Sequence, residues 1–182
     1  MQKRRTVTTL TDQAQSEETG TEVIHRGSPA GVARRLMVAA GVVTLVVVGD
    51  QLSKWWAVDR LSRGPIHVVG TLDLELTRNS GSAFSLFQGG SAVLVVVAIA
   101  LVVALALMVR RSGSLGSAAI IGLIMGGALG NLADRLFRND HGAVVDFIAL
   151  HFWPTFNVAD SCIVVGCGLL AISLARGRAP RG

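Results

Sequence analysis

Residues 91–108, SAVLVVVAIALVVALALM, form an eighteen-residue stretch without a charged side chain. An α-helix rises about 1.5 Å per residue, so about 20 apolar residues cross the hydrocarbon core of a bilayer. The stretch therefore predicts a transmembrane helix. The whole chain of 182 residues is 51% hydrophobic and only 16% charged, whereas proteins average about 25% charged residues. This composition argues against a soluble globular protein and against a disordered chain.

Three further apolar blocks flank this helix, at residues 31–58, 117–129 and 161–175. The two shorter blocks have the length of buried helices in a soluble core, but four such blocks in one short chain leave too little polar surface for a soluble bundle. We therefore predict a membrane all-α fold with four transmembrane helices, at about residues 33–56, 91–109, 115–135 and 158–175. The membrane domain spans residues 32–176, between a disordered cytoplasmic tail at 1–31 and a short tail at 177–182. No small-residue cleavage site closes the first block, so we expect it to remain as an anchor.

The distribution of Lys and Arg predicts the orientation, because cytoplasmic flanks of membrane helices retain positive charge. With the N-terminus inside, eleven of the seventeen cations are cytoplasmic: Lys3, Arg4, Arg5, Arg26, Arg34, Arg35, Arg110, Arg111, Arg176, Arg178 and Arg181. Both termini are then cytoplasmic and two larger loops are extracytoplasmic. The net charge of +5 needs no nucleic-acid partner, since no basic stripe with interleaved aromatic residues is present.

The first outer loop contains a strand pattern, because Leu72, Leu74 and Leu76 alternate with polar residues. A period of two is typical of a half-buried strand, and the sequence NSGS at 79–82 supplies a turn after it. We predict a small extracytoplasmic β-sheet in this loop. We expect it to lie on the membrane surface, with its apolar side facing lipid or a lipidic ligand.

Several common catalytic patterns are missing from the sequence. The four histidines show no metal-ligand spacing, no H-E-x-x-H motif occurs, and no G-x-S-x-G motif occurs. Lys54 is the only lysine outside the N-terminal tail, and Ser53 cannot be its partner because adjacent helix residues do not face each other. A Ser–Lys pair with Ser80, Ser82 or Ser85 stays open. We predict neither a metal site nor a cofactor.

Polar residues at the helix ends suggest structural contacts. Asp50 and Lys54 lie at i and i+4 near the outer end of the first helix, where an ion pair would neutralise two costly charges. Asn131, Asp134 and Arg135 share one face near the outer end of the third helix. We interpret both groups as polar networks that hold the helices together, with Arg135 paired to Asp134 or to another carboxylate.

Asp146 and Asp160 form a different kind of group. Asp146 lies in the strand-like run AVVDFI with no cation within seven residues, and Asp160 opens the fourth helix. Asn157, three residues before Asp160, leaves a helix N-cap role equally open for this carboxylate. Residues 150–155 suit a turn that brings the two carboxylates together. Such a pair disfavours double ionisation, so one member holds a proton while the other is charged. This division suits water-mediated amide hydrolysis.

Five motifs in order resemble a known family. They are DQLSK at 50–54, NSGSAF at 79–84, GALGNLADR at 127–135, VVDF at 144–147 and FNVAD at 156–160. Together they are similar to bacterial lipoprotein signal peptidase, also called signal peptidase II, over about residues 33–174. The resemblance implies an aspartic endopeptidase that removes signal peptides from prolipoproteins and cuts before a cysteine that carries a diacylglyceryl group.

The resemblance also implies roles for individual residues. The catalytic pair corresponds to Asp146 and Asp160. Substrate-orienting roles correspond to Asn79, Asn131, Arg135 and Asn157, and a structural polar network to Asp50, Lys54 and Asp134. The implied partners are diacylglyceryl-modified prolipoproteins and membrane lipids, for a monomer that uses no metal or other cofactor. The implied location is the bacterial cytoplasmic membrane, with several spans and an extracytoplasmic active site.

Three alternatives compete with this interpretation. A membrane adaptor or lipid-binding protein would use all of the boundary charges structurally. The Gly49-Asp50 pair suggests an intramembrane protease of the GxGD type, but Val47 breaks that motif. A small transporter with a proton relay would carry its carboxylates at the middle of the membrane rather than at one face.

Overall fold

The structure is a computed structural model that describes residues 28–81, 90–138 and 140–177. It contains four helices: α1 (Pro29–Leu61), α2 (Gly90–Arg111), α3 (Leu115–Phe137) and α4 (Val158–Gly177). Each of the four is long and apolar enough to cross a membrane. The prediction of a four-helix membrane fold is therefore confirmed.

Local capping fixes the beginning of α1. The Ser28 side chain accepts a hydrogen bond from the Gly31 N–H, and Pro29 occupies the first helical position, where its missing N–H has no helical partner to lose. At its other end α1 continues to Leu61, about one and a half turns past the predicted end at residue 56. The residues of this extension pack against the β-sheet.

α3 lies at the centre of the bundle and contacts α1, α2 and α4. Glycines permit its close packing on both sides. A Cβ atom at Gly126 would lie 2.7 Å from the Val46 side chain of α1, and one at Gly127 would collide with the Ala159 carbonyl of α4. A Cβ atom at Gly130 would lie 2.6 Å from the Asp50 carboxylate. The small residues of α3 therefore bring polar groups of three helices into one place.

The sheet has four antiparallel strands in the order β1-β2-β3-β4. These are β1 (Ile66–Val69), β2 (Leu72–Asn79), β3 (Val144–Leu150) and β4 (Trp153–Phe156). The predicted strand at 72–76 is present as part of β2. The second outer loop supplies the other half of the sheet, β3 and β4. The pairing of β2 with β3 places Thr77 opposite Asp146.

The apolar side of the sheet packs on protein. Leu74 and Leu76 contact a buried cluster formed by Ala57 and Leu61 of α1 and by residues of β3. The expectation that the apolar side faces lipid or a lipidic ligand is therefore wrong for these two leucines, because the extension of α1 packs on them. The predicted turn at 79–82 reaches Ser82, and residues 82–89 lie outside the described part of the chain, as do residues 1–27 of the predicted tail.

Candidate active site

Two asparagine side chains hold the two predicted carboxylates in one site. Asp146 lies within β3, and its Oδ1 accepts a hydrogen bond of 2.7 Å from Asn157 Nδ2. Asp160 lies in the first turn of α4, and its Oδ1 accepts a hydrogen bond of 2.7 Å from Asn131 Nδ2. Asn157 also reaches Asp160, because its backbone N–H donates to Asp160 Oδ2 at 3.2 Å. One residue therefore links both carboxylates.

The cap interpretation of Asp160 also holds. Asn157 Oδ1 accepts the Asp160 N–H at 2.9 Å, while Asp160 Oδ2 accepts the Asn157 N–H. These reciprocal bonds form a capping box at the start of α4. Asp160 uses one oxygen for the cap and one for Asn131, and it is only partly buried. The cap fixes the position of this carboxylate and is compatible with a catalytic role.

Asp146 has an unusual electrostatic environment. Its side chain lies almost wholly inside the protein, with 2% of the residue exposed. Burial raises the pKa of Asp146 to about 6, and the nearby negative charge of Asp160 acts in the same direction. Hydrogen bonds from Asn79 Nδ2 (3.1 Å) and Asn157 oppose this rise. A carboxyl group with this pKa exchanges its proton readily near neutral pH.

Lys54 lies at the centre of a fully buried ion cluster. Its Nζ lies 2.9 Å from Asp50 Oδ2 and 2.9 Å from Asp134 Oδ2. It also donates to Asn131 Oδ1 at 2.9 Å. An ammonium group has three N–H donors, and here each one has an acceptor. The predicted Asp50–Lys54 pair is present, and it extends to α3.

The predicted pairing of Arg135 differs from the observed one. Asp134 is bound by Lys54 and by Arg138, whose Nε lies 3.0 Å from Asp134 Oδ1. Arg135 makes one long hydrogen bond of 3.4 Å, from Nη1 to the Asn131 carbonyl. Its Nε is buried without a hydrogen-bond partner among the described residues. The i, i+4 spacing of Asp134 and Arg138 was the signal that would have identified the correct cation.

Gln51 and Arg138 are two members of the network that the sequence analysis missed. Gln51 Nε2 donates to Asp134 Oδ1 at 3.0 Å and to the Gly130 carbonyl at 3.1 Å, and its Oε1 accepts from Arg138 at 3.1 Å. Glutamine carries no charge to mark it in a sequence. Only its place beside Asp50 hinted at a role.

The Ser–Lys alternative has no support in the described residues. The ammonium group of Lys54 is buried and bound to three acceptors, and Ser80 is exposed. Ser82 and Ser85 lie outside the described part of the chain. Within residues 28–81, 90–138 and 140–177, no three His, Cys, Asp or Glu side chains are arranged to hold a metal ion.

Comparison with known proteins identifies similar sequences. A family profile described as signal peptidase (SPase) II matches residues 42–176. A lipoprotein signal peptidase of Mycolicibacterium smegmatis is 44% identical over 153 residues, which cover 81% of this chain and 65% of that relative. A lipoprotein signal peptidase of Rhodococcus jostii is 39% identical over 186 residues, covering 94% of this chain and 92% of that relative. The chain thus spans slightly less than two thirds of the first relative.

Similar structures are also known. Two solved structures of a bacterial membrane enzyme superpose on this chain with a TM-score of 0.68 each. One is 28% identical and covers 75% of this chain, and the other is 26% identical and covers 79%. Each match includes 91% of the solved chain.

Proposed function

The chain belongs to the signal peptidase II family, and from this membership we propose that it is an aspartic endopeptidase that cleaves signal peptides from prolipoproteins. The cut falls on the N-terminal side of a cysteine that carries a diacylglyceryl group. Asp146 and Asp160 form the catalytic pair. The observation that carries this assignment is the meeting of the two carboxylates at Asn157, with Asp146 buried and its pKa raised to about 6.

The pair divides the chemistry of amide hydrolysis between its members. The ionised carboxylate removes a proton from water as the water oxygen attacks the carbonyl carbon, and the protonated carboxyl group donates to the carbonyl oxygen. When the tetrahedral intermediate collapses, the C–N bond breaks. The departing amine takes the proton that the first carboxylate had accepted, and the hydroxyl that becomes the new carbonyl oxygen returns its proton to the second carboxylate. The pair titrates as a unit, so the base role and the acid role are not assigned to individual members of the pair.

Neighbouring side chains orient the catalytic pair and the substrate. Asn79 and Asn157 hold Asp146, and Asn131 holds Asp160. Arg135 is assigned to the substrate, because its buried Nε has no partner among the described residues and a guanidinium group offers several donors to peptide carbonyls. The three asparagines accordingly orient the catalytic pair, and Arg135 serves to orient the substrate.

The site is assigned to the extracytoplasmic face of the bacterial cytoplasmic membrane. Arg110 and Arg111 lie in the last turn of α2, next to the short hairpin that leads to α3. The sheet and both aspartates lie at the opposite ends of the helices. The positive-inside rule therefore supports an outer position for the aspartates. A substrate cysteine anchored by two acyl chains would hold the scissile bond at the depth of the two aspartates. We also propose that the enzyme acts as a monomer.

A cleavage assay with two substrates tests the proposal. Purified full-length protein in detergent is incubated with a diacylglyceryl-modified prolipoprotein and, separately, with the unmodified precursor. We expect cleavage of the modified substrate alone, which persists when a chelator is added. Asp160→Asn should insert into the membrane normally and cleave neither substrate. An adaptor or lipid-binding protein would cut neither substrate even as the wild type, and that result would overturn the assignment.

A further inference from the structure

The Lys54 cluster contacts the backbone beside each catalytic aspartate. Asp50 Oδ1 accepts the N–H of Ala159 at 2.9 Å, and Asp134 Oδ2 accepts the N–H of Val145 at 3.1 Å. Ala159 directly precedes Asp160, and Val145 directly precedes Asp146. The two carboxylates bound by Lys54 therefore hold the two chain segments that carry the catalytic pair.

A third contact of Lys54 leads to the side chains of the pair. Asn131 Oδ1 accepts from Lys54 Nζ at 2.9 Å and from Asn157 Nδ2 at 3.1 Å. Lysine has no acceptor, so it fixes the amide oxygen of Asn131 on its own side. The amide nitrogen must then face Asp160, to which it donates at 2.7 Å.

We propose that Lys54 is a positioning residue, which sets the separation and orientation of Asp146 and Asp160 through Asp50, Asp134 and Asn131. Within the described part of the chain, Lys54 makes hydrogen bonds and ion pairs with Asn131, Asp50 and Asp134 and with neither catalytic carboxylate. This inference rests on the proposed function, since it assumes that these two aspartates do the chemistry. It assigns a role in the reaction to a residue that the sequence analysis treated as purely structural.

The charge and burial of Lys54 support a role for this residue beyond simple packing. Asp50, Asp134 and Lys54 are all buried. Among the described residues, loss of the cation would leave two buried carboxylates with only Arg138 paired to one of them. A buried charge without its partner is strongly destabilising or takes up a proton. Either response would move the backbone N–H groups that Asp50 and Asp134 hold.

The same charge acts on Asp146. Three charged groups from other elements influence Asp146: Lys54 of α1, Asp160 of α4 and Arg135 of α3. The positive charge of Lys54 lowers the pKa of Asp146, against the larger effect of burial. Removal of that charge should therefore raise the pKa of Asp146 further. A residue that served only folding would not produce this change.

Lys54→Met tests the proposal, because methionine keeps an unbranched side chain of similar length without the charge. We expect kcat to fall about 100-fold, the loss that a misplacement of roughly 1 Å can cause, while KM stays within about threefold. The pH dependence of kcat should move to higher pH. The matched control is Arg63→Met, which removes the cation of the exposed i, i+4 pair with Asp59 on the same helix. It should leave kcat, KM and the pH profile unchanged, because exposed ion pairs contribute little.

A second variant keeps the test decisive if Lys54→Met does not fold. Asp50→Asn combined with Lys54→Met removes one positive and one negative charge, and Asp134 keeps Arg138. We expect this double variant to fold and to retain the low kcat. If it recovers the wild-type kcat, or if the activity of Lys54→Met merely tracks its folded fraction with an unmoved pH profile, Lys54 is structural only.

The proposed function fails in a different way. It fails if the wild-type protein does not cut the lipid-modified substrate, or if Asp160→Asn does. The inference about Lys54 fails alone when the wild type cuts, Asp160→Asn does not, and Lys54→Met keeps its kcat.

Discussion

Asp73 and Asp146 lie on neighbouring strands of one sheet, yet their surroundings differ. The surroundings of Asp73 suit a structural contact, and those of Asp146 suit proton transfer. Each accepts hydrogen bonds from two side chains. The donors to Asp146 are the neutral amides of Asn79 and Asn157. Asp73 is bound by imidazoles, with His151 Nε2 at 3.0 Å and His67 Nδ1 at 2.6 Å.

The pKa values of the two groups move in opposite directions. Burial raises the pKa of Asp146 to about 6, whereas hydrogen bonds from His151 and His67 lower the pKa of Asp73 below its ordinary value. Neutral donors in a buried place hold a carboxylate in position and still let it gain a proton. Hydrogen bonds from two imidazoles instead favour the ionised form of a carboxylate. Asp146 therefore suits proton transfer, and Asp73 suits a permanent contact between strands.

Matched substitutions of the two carboxylates should give the largest difference. Asp146→Asn should lower kcat/KM for the lipid-modified substrate by at least about 1000-fold, since it removes half of the proposed catalytic pair. Asp73→Asn should stay within about threefold of the wild type, because Asp73 is partly exposed and lies outside the proposed active site. Both variants are measured at equal amounts of inserted protein. Comparable losses in the two variants would show that the sheet as a whole, and not Asp146, controls activity.

Much of this arrangement followed from the sequence because the membrane restricts where polar groups can lie. Each charge near the end of an apolar helix needed a partner, which predicted the Asp50–Lys54 pair. The missing local cation singled out Asp146. The sequence could not predict that β3 and β4 would complete the sheet, because strand pairing between two loops depends on tertiary packing. For the same reason it did not identify Gln51, which bonds Gly130 and Asp134 on a different helix.

The pH dependence of activity tests the comparison of Asp146 with Asp73 through an effect of intermediate size. Asn79→Ala removes one donor to Asp146, and His151→Ala removes one donor to Asp73. A hydrogen bond to the ionised form lowers a carboxyl pKa, so Asn79→Ala should raise the pKa of Asp146 above about 6. The limb of the kcat/KM profile near that pH should therefore move to higher pH. For His151→Ala the limb should stay in place, and a shift of equal size in both variants would refute the separation of the two sites.

The smallest expected effect concerns stability. Because the pKa of Asp146 is raised from 3.8 to about 6, the folded protein binds more protons than the unfolded chain between these values. Its stability should fall as the pH rises through this window. We expect Asp146→Asn to remove this part of the decline, a change on the order of 5 °C in Tm between pH 4 and pH 7.

Asp73→Asn is the control for this measurement. In the wild type the pKa of Asp73 is lowered. The stabilising effect of this carboxylate is therefore present above the ordinary pKa of an aspartate and is lost only as the pH falls below that value. Asp73→Asn should therefore keep the wild-type decline of Tm between pH 4 and pH 7. If this variant flattens the curve and Asp146→Asn does not, then the buried carboxylate is already ionised throughout the window. In that case it could not hold the shared proton that hydrolysis requires.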